Sequence, residues 1–551
     1  MKRIITLLLI PISFLISFSI EFIDISEIKK GMSGYCATVF SGTKIDTFKI
    51  EVIDVIPEGE SSVEMVLVRC FGENIEKTGI AQGMSGSPVY FNGKLFGSMS
   101  YTWDNLREPI GGVVPIKKML EIESFQNNEN KSEGYKLKEI ALPIVLTGVN
   151  ENILKMIKEK NPALKNSVVG NSNSDISKEG GYLLPGKGIA IKLIDGEMSA
   201  SAIGTVTYVE GNKVFSLGHP FTMKGEVEYP VSEAYIYMIL PRTDISYKMG
   251  FSMNKVLGST VQDRTYGVLS YSDKIAKMVN VSIKINDIKT ISLKFAKDDD
   301  FLSSYLPLMF VSAISKYYKI AGSMTADYKI TLYSAGKERI EYKNMITGEN
   351  LFFGIYFDLQ SILLTYISNM YEKVAIDSIS IVSEIKENIS KYYVWDLQVE
   401  KKYYNPGEMV NGKILLKAYK GEDTFQEFSF KLPEVLMQDT LILYVGGGKN
   451  DLLSETSRSE AKFQYKNLKT FEDIIKNTNP SNSIVVKLYG KRKGFIDNNK
   501  EFFSMSQGFI NRQIMMGKKM IMSDILYKDI LMTNCVIEGE GYIVLKIRRS
   551  Q

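Results

Sequence analysis

The chain has 551 residues, too many for one ordinary hydrophobic core, so about three domains are expected. Hydrophobic residues make up 44% and charged residues 24%, a globular composition that excludes a disordered or fibrous chain. Lys plus Arg (67) nearly balances Asp plus Glu (63), and a net charge of +4 supplies no basic field of the kind that nucleic-acid binding needs, so nucleic acid is not an expected partner.

The chain opens with Met-Lys-Arg, the apolar run Ile4 to Ile16, and Ser17-Phe18-Ser19. These are the charged, apolar and small-x-small parts of a secretory signal, read here over residues 1–19, and they imply a periplasmic or extracellular protein. A retained anchor is the alternative, against which Pro11 and the serines shorten the run. Elsewhere no apolar run reaches the length of a bilayer span, so no integral span is expected after signal removal. Three cysteines, Cys36, Cys70 and Cys535, are few for an exported protein, so disulfides are not the main source of stability. Cys36 and Cys70 lie in strand-like segments of the same region, and their pairing is left open. One histidine and no Cys-x-x-Cys argue against a metal site, and no cofactor is expected.

From residue 20 to 121 the segments are short, rich in Val, Ile, Phe and Tyr, and divided by Gly, Asn or Asp turns, the pattern of a β-barrel or sandwich. Phe48 to Ile56 alternates, Val63 to Val68 is a second strand, and Asn92-Gly93 after Pro88 to Tyr90 is a strong hairpin signal. Residues 122–180 are more polar and partly helical, with Gly170 to Gly181 as a connection. A second β unit is expected over 181–300: Ile189 to Ile194, Ala202 to Val209, the Glu210-Gly-Asn turn, and Val214 to Leu217 running into Gly218-His219-Pro220. An α+β segment follows at 301–390, with helices over Phe301 to Tyr318 and Leu359 to Tyr371 and strands over Tyr328 to Tyr333 and Ala375 to Val382. Strands and turns over 391–445 suggest an immunoglobulin-like sandwich, and 446–551 is mixed.

Two segments carry chemistry. Gly83-Met84-Ser85-Gly86-Ser87-Pro88 sits just before a hairpin, and a serine nucleophile needs its hydroxyl at such a turn with backbone N–H groups free to hold an oxyanion. Here those would be the N–H groups of Gly83 and Ser85. An ordinary Gly/Ser turn is the bland alternative. Gly31-Met32-Ser33-Gly34 repeats part of the pattern, but Tyr35-Cys36 follow it, and Ser33 is read as structural. His219, the only histidine, is the one imidazole that could take the serine proton, weighed against a half-buried turn histidine.

Thr78 to Pro88 with Asn92 to Gly97 resembles the nucleophile region of the SpoIVB serine peptidases, and Gly204 to Val209 with Leu217-Gly-His-Pro resembles the segment bearing their catalytic histidine. Residues 28–57 resemble the strands that precede the nucleophile. The resemblance implies two β-barrel-like units forming a chymotrypsin-like core, mainly β overall, with Ser85 as nucleophile and His219 as base. It implies an endopeptidase acting on protein or peptide substrates by an acyl-enzyme. Three features depart from the family: the serine segment precedes the histidine segment, Phe71 stands where the family has an aspartate, and no PDZ segment is recognisable. Asp263 is taken as the third member, with Asp104 second, and a protein partner in the envelope is assigned to the C-terminal sandwich. The rival reading is a non-catalytic envelope protein that keeps the fold as a binding or scaffold module.

Overall fold

Alternation of apolar and polar residues makes the N-terminal strands. In β2 (Ile45–Ile56) Phe48, Ile50 and Val52 turn inward while Thr47, Lys49 and Glu51 face out. The structure, a computed structural model, describes residues 20–57, 63–124, 142–171, 181–319, 321–436 and 438–548. The expected signal at 1–19 and residues 172–180 of the expected connection lie outside them.

With β1 (Ser33–Val39), β3 (Met65–Phe71), β4 (Ser87–Phe91), β5 (Lys94–Tyr101) and β6 (Ile110–Pro115), β2 closes into a barrel of order β1-β2-β3-β6-β5-β4. Its interior holds Cys36, Phe48, Ile50, Val66, Val68, Phe91, Phe96, Met99 and Val113. Each large apolar side chain so buried contributes roughly 1.5–3 kcal/mol. The Asn92-Gly93 hairpin forms as read, with φ of 51° and 78° at its two turn residues. A short helix, α1 (Glu73–Thr78), links β3 to the serine loop.

Strands β7 (Ile144–Thr147) and β8 (Ser167–Gly170) flank a helix at Glu151–Lys158. Six further strands then form a second ring: β9 (Gly188–Gly196), β10 (Ser199–Glu210), β11 (Lys213–Ser216), β12 (Gly225–Leu240), β13 (Tyr247–Arg264) and β14 (Gly267–Tyr271). They pair in the order β9-β12-β13-β14-β11-β10, and β9 also pairs with β10, which closes the circuit. Register shifts along the β12–β13 pair bend these long strands enough to curl.

The first ring and all of the second but Leu193–Ala200, the tip of the β9–β10 hairpin, belong to one of two compact units, which comprises residues up to Val145, Gly170–Lys192 and Ser201–Ala276. Within it the rings meet at the loop before β4. A Cβ on Gly86, whose φ is 98°, would stand 1.8 Å from the Thr205 carbonyl oxygen and 2.7 Å from the Leu217 nitrogen, so only glycine lets the backbones touch.

The second unit takes Leu146–Val169, Leu193–Ala200 and the chain from Lys277. Strands Ile340–Gly348, Met324–Ser334, Ile376–Lys386, Met278–Ile285 and Lys289–Ala296 pair in that order. The first helix, Asp299–Ile314, is capped by the Asp298 carboxylate and lies close to its expected position. The second, Leu351–Ile367, begins eight residues earlier than expected, because Phe352 and Ile355 are buried too. Among the described residues no helix is long and apolar enough to cross a membrane.

The immunoglobulin-like sandwich expected over 391–445 does not close within that segment. Lys391–Val399 pairs in parallel with Val536–Glu538, and Thr440–Gly447 pairs with Ser483–Gly490 and Glu540–Ile547. One core joins Val394, Val410, Leu443, Val486 and Leu545, so residues 391–547 fold together. Alternation revealed the strands, but nothing local could reveal partners more than a hundred residues away.

Gly86→Ala is expected to destabilise by roughly 2–4 kcal/mol, combining the φ penalty with a backbone clash. Gly93→Ala, which meets nothing within 4 Å, is expected to cost only about 1–2 kcal/mol. Urea midpoints of the two variants check the ordering.

Candidate active site

The serine loop runs from Gly79 to Pro88 between α1 and β4 and is almost wholly enclosed. Its backbone is fixed by its own turns. Met84 N–H donates to Ala81 O (3.0 Å), Ser87 N–H to Met84 O (2.9 Å) and Gly86 N–H to Met99 O (3.0 Å). The Gly83 and Ser85 N–H groups donate to no acceptor among the described residues. Buried N–H groups without a partner are rare, and two of them flanking a serine make a donor pair for an anion. Ser85 is fully buried, and its Oγ has no hydrogen-bond partner among the described residues.

Strand β10 of the second ring holds the loop's carbonyls. Ser85 O accepts from Thr205 N–H (2.8 Å), Gly83 O from Thr205 Oγ1 (3.0 Å) and Gly86 O from Thr207 Oγ1 (2.8 Å).

His219 follows β11. Leu217, whose side chain is buried, sits at φ 70°, a conformation a leucine rarely adopts, and Gly218 at φ 71° continues the turn. A Cβ on Gly218 would stand 2.0 Å from Ser100 Oγ, so this turn is pressed against β5 of the first ring. The His219 ring lies 6.4 Å from that of Tyr101 at the end of β5. His219 Nδ1 is 2.7 Å from the Pro220 carbonyl oxygen. A carbonyl can only accept, so Nδ1 carries the hydrogen and the basic lone pair falls on Nε2. The two turns touch through Gly86 and Leu217, but Ser85 Oγ makes no hydrogen bond to His219.

Asp263 is nearly fully buried at the end of β13 and accepts from Phe221 N–H (2.7 Å), Thr222 N–H (2.6 Å), Thr222 Oγ1 (2.6 Å) and Met223 N–H (3.0 Å). Burial raises its pKa, and those hydrogen bonds oppose the rise. The carboxylate therefore grips the three residues after His219-Pro220, while the contact at Nδ1 is the Pro220 carbonyl. Asp104 is exposed in the turn after β5, and Ser33 is exposed at the start of β1. Cys36, Cys70 and Cys535 are free thiols, and burial pushes Cys70 up to about 12.

One residue of this junction was not singled out from sequence. Lys248, on β13, is completely buried, with Nζ 2.8 Å from Thr38 Oγ1 and 3.0 Å from Thr205 Oγ1. It sits in register with buried Gly250 and Ser252, and a lysine on the inward face of an alternating strand was the available signal. Burial lowers its pKa to about 7, partly opposed by the nearby Cys36. Unfolded, the same amine titrates at its ordinary value of 10.5. Between those values the unfolded chain holds a proton that the folded chain lacks, so this group makes stability rise with pH across the window. Below about 7 its penalty is complete and constant.

Wild type is accordingly expected to gain up to about 1.4 kcal/mol per pH unit, from pH 7.5 to 9.5, relative to Lys248→Met. Paired urea titrations measure the difference, and parallel curves count against the burial effect.

No curated protein and no solved structure matches the chain. At the level of the family, a family-model match supports a serine peptidase, in line with the resemblance read from the serine motif. That family is SpoIVB peptidase S55, matched over residues 16–120, a stretch that holds the first barrel and Ser85 and ends before His219.

Proposed function

We propose that this chain is an exported serine endopeptidase that cleaves protein outside the cytoplasm by acyl transfer. The observation that carries the reading is the junction of the two rings, where the Ser85 loop meets the turn bearing the only histidine. Ser85 Oγ attacks the scissile carbonyl carbon while His219 Nε2 takes the hydroxyl proton. The developing oxyanion accepts from the Gly83 and Ser85 N–H groups. The intermediate collapses, the proton passes from Nε2 to the leaving amine, and water then repeats the sequence on the acyl-serine. The Pro220 carbonyl orients the imidazole, as a carboxylate does in other serine peptidases. Asp263 acts one step back, by fixing residues 221–223.

A specific observation favours a second reading, a non-catalytic envelope module. Ser85 and His219 are 0% and 1% exposed, so in this conformation no substrate reaches them. The peptidase reading requires the junction to open for substrate.

Labelling by a serine-directed fluorophosphonate separates the two. Ser85→Ala and His219→Ala are each expected to lower labelling by about 1,000-fold or more. Unchanged labelling in both variants removes the proposal, and a folded wild-type chain that takes no label favours the binding module. Asp263→Asn, which puts a donor where only acceptors fit, is expected to slow labelling about 10–100-fold, the equivalent of a lost charged hydrogen bond. Wild-type rates in that variant would detach Asp263 from the site.

A further inference from the structure

Lys248 has no carboxylate beside it, and no salt bridge reaches it among the described residues. Its neighbours are hydroxyls. Thr205 Oγ1 donates onward to Gly83 O (3.0 Å). On the other side, Thr38 Oγ1 is 2.9 Å from Ser87 Oγ, which is 2.6 Å from Met84 O. Carbonyl oxygens can only accept, so the Thr205 hydroxyl gives its one hydrogen to Gly83 O and must accept from the amine. One N–H of the amine goes to Thr205 and on to Gly83 O. The other goes to Thr38 Oγ1, which also accepts from Ser87 Oγ. An uncharged amine has two N–H groups, and both are used. An ammonium would bring a third hydrogen with no acceptor, and an unpaired charge.

The chains end on both sides of the nucleophile. They reach the carbonyls of Gly83 and Met84 and the hydroxyl of Ser87, and the stem of Lys248 packs on Gly83, where an added Cβ would lie 3.1 Å from the lysine Cβ. The backbone N–H of Lys248 also donates to Gln82 O (2.8 Å). The titratable group facing the amine is the Cys36 thiol on β1, and burial keeps that thiol neutral.

We propose that Lys248 is a positioning residue for the nucleophile: its uncharged amine, acting through Thr38 and Thr205, sets the backbone of Gly83–Ser87 and with it the two N–H groups assigned to the oxyanion. The link to catalysis rests on the peptidase reading; the hold on the loop does not. Protonation breaks the hydrogen-bond count, so the loop loosens in acid. The amine titrates at about 7, within the working range of an enzyme.

The test uses the full chain and two readouts, hydrogen exchange in the segment 79–91 at fixed pH and fluorophosphonate labelling between pH 5.5 and 9. Lys248→Met is expected to speed exchange in that segment by about tenfold or more, leaving β2 and β3 unchanged, and to slow labelling about 10–100-fold. Its labelling profile below pH 7 should also depend on one proton fewer than that of wild type. Thr205→Val, which keeps the lysine and removes one hydroxyl, should give a smaller change of the same kind and serves if Lys248→Met does not fold. Lys248→Arg, which cannot shed its charge, should fail to restore either readout. Wild-type exchange in both Lys248→Met and Thr205→Val, or wild-type behaviour in Lys248→Arg, overturns the proposal. If wild type takes no label while the exchange result holds, the peptidase reading falls and Lys248 stands as the anchor of the loop.

Discussion

The carbonyls of Gly83, Ser85 and Gly86 all accept hydrogen bonds from two threonines of one strand in the other ring, Thr205 and Thr207. A loop with positive φ at Gly83 and Gly86 has no regular structure of its own to hold it. Buried peptide groups must be paired, and here the partners come from across the junction. The carbonyls are thereby committed while the N–H groups of Gly83 and Ser85 remain available. That asymmetry depends on the two rings being docked.

The same docking loads strain onto the histidine side. Leu217 is held at φ 70° and Gly218 is pressed on Ser98 and Ser100, so the imidazole leaves its strand at an angle that a relaxed turn would not take. Asp263 compensates with four accepted hydrogen bonds to the residues that follow. The two turns face each other, each secured by the opposite ring or its own barrel, in an enclosed junction. Its enclosure is the complementary fact: the groups that would react are also those that water and substrate reach least.

Lys248 fits this picture as the third support, and it is unlike the others. Threonines and aspartate hold the loops at any neutral pH, whereas an amine stripped of water holds its loop only when uncharged. The support of the Ser85 loop is therefore coupled to pH through a group separate from His219.

Local pattern was enough to read three strands of the first barrel, the Asn92-Gly93 and Glu210-Gly-Asn turns, and the two motifs around Ser85 and His219, because strand alternation and turn chemistry act between near neighbours. Other features had no local signal. The pairing of β9 with β12 in the second ring, the parallel pairing of Lys391–Tyr393 with Val536–Glu538, and the placement of Asp263 on residues 221–223 all join distant segments. Thr38, Thr205 and Lys248 carry no motif, and each is an ordinary strand residue until the rings dock. Sequence alone determined which serine and which histidine are the candidates, since their turns are written in adjacent glycines and a proline. Only the tertiary structure decided what surrounds them, because hydrogen bonds and desolvation at a buried junction depend on which strands are brought together across more than a hundred residues.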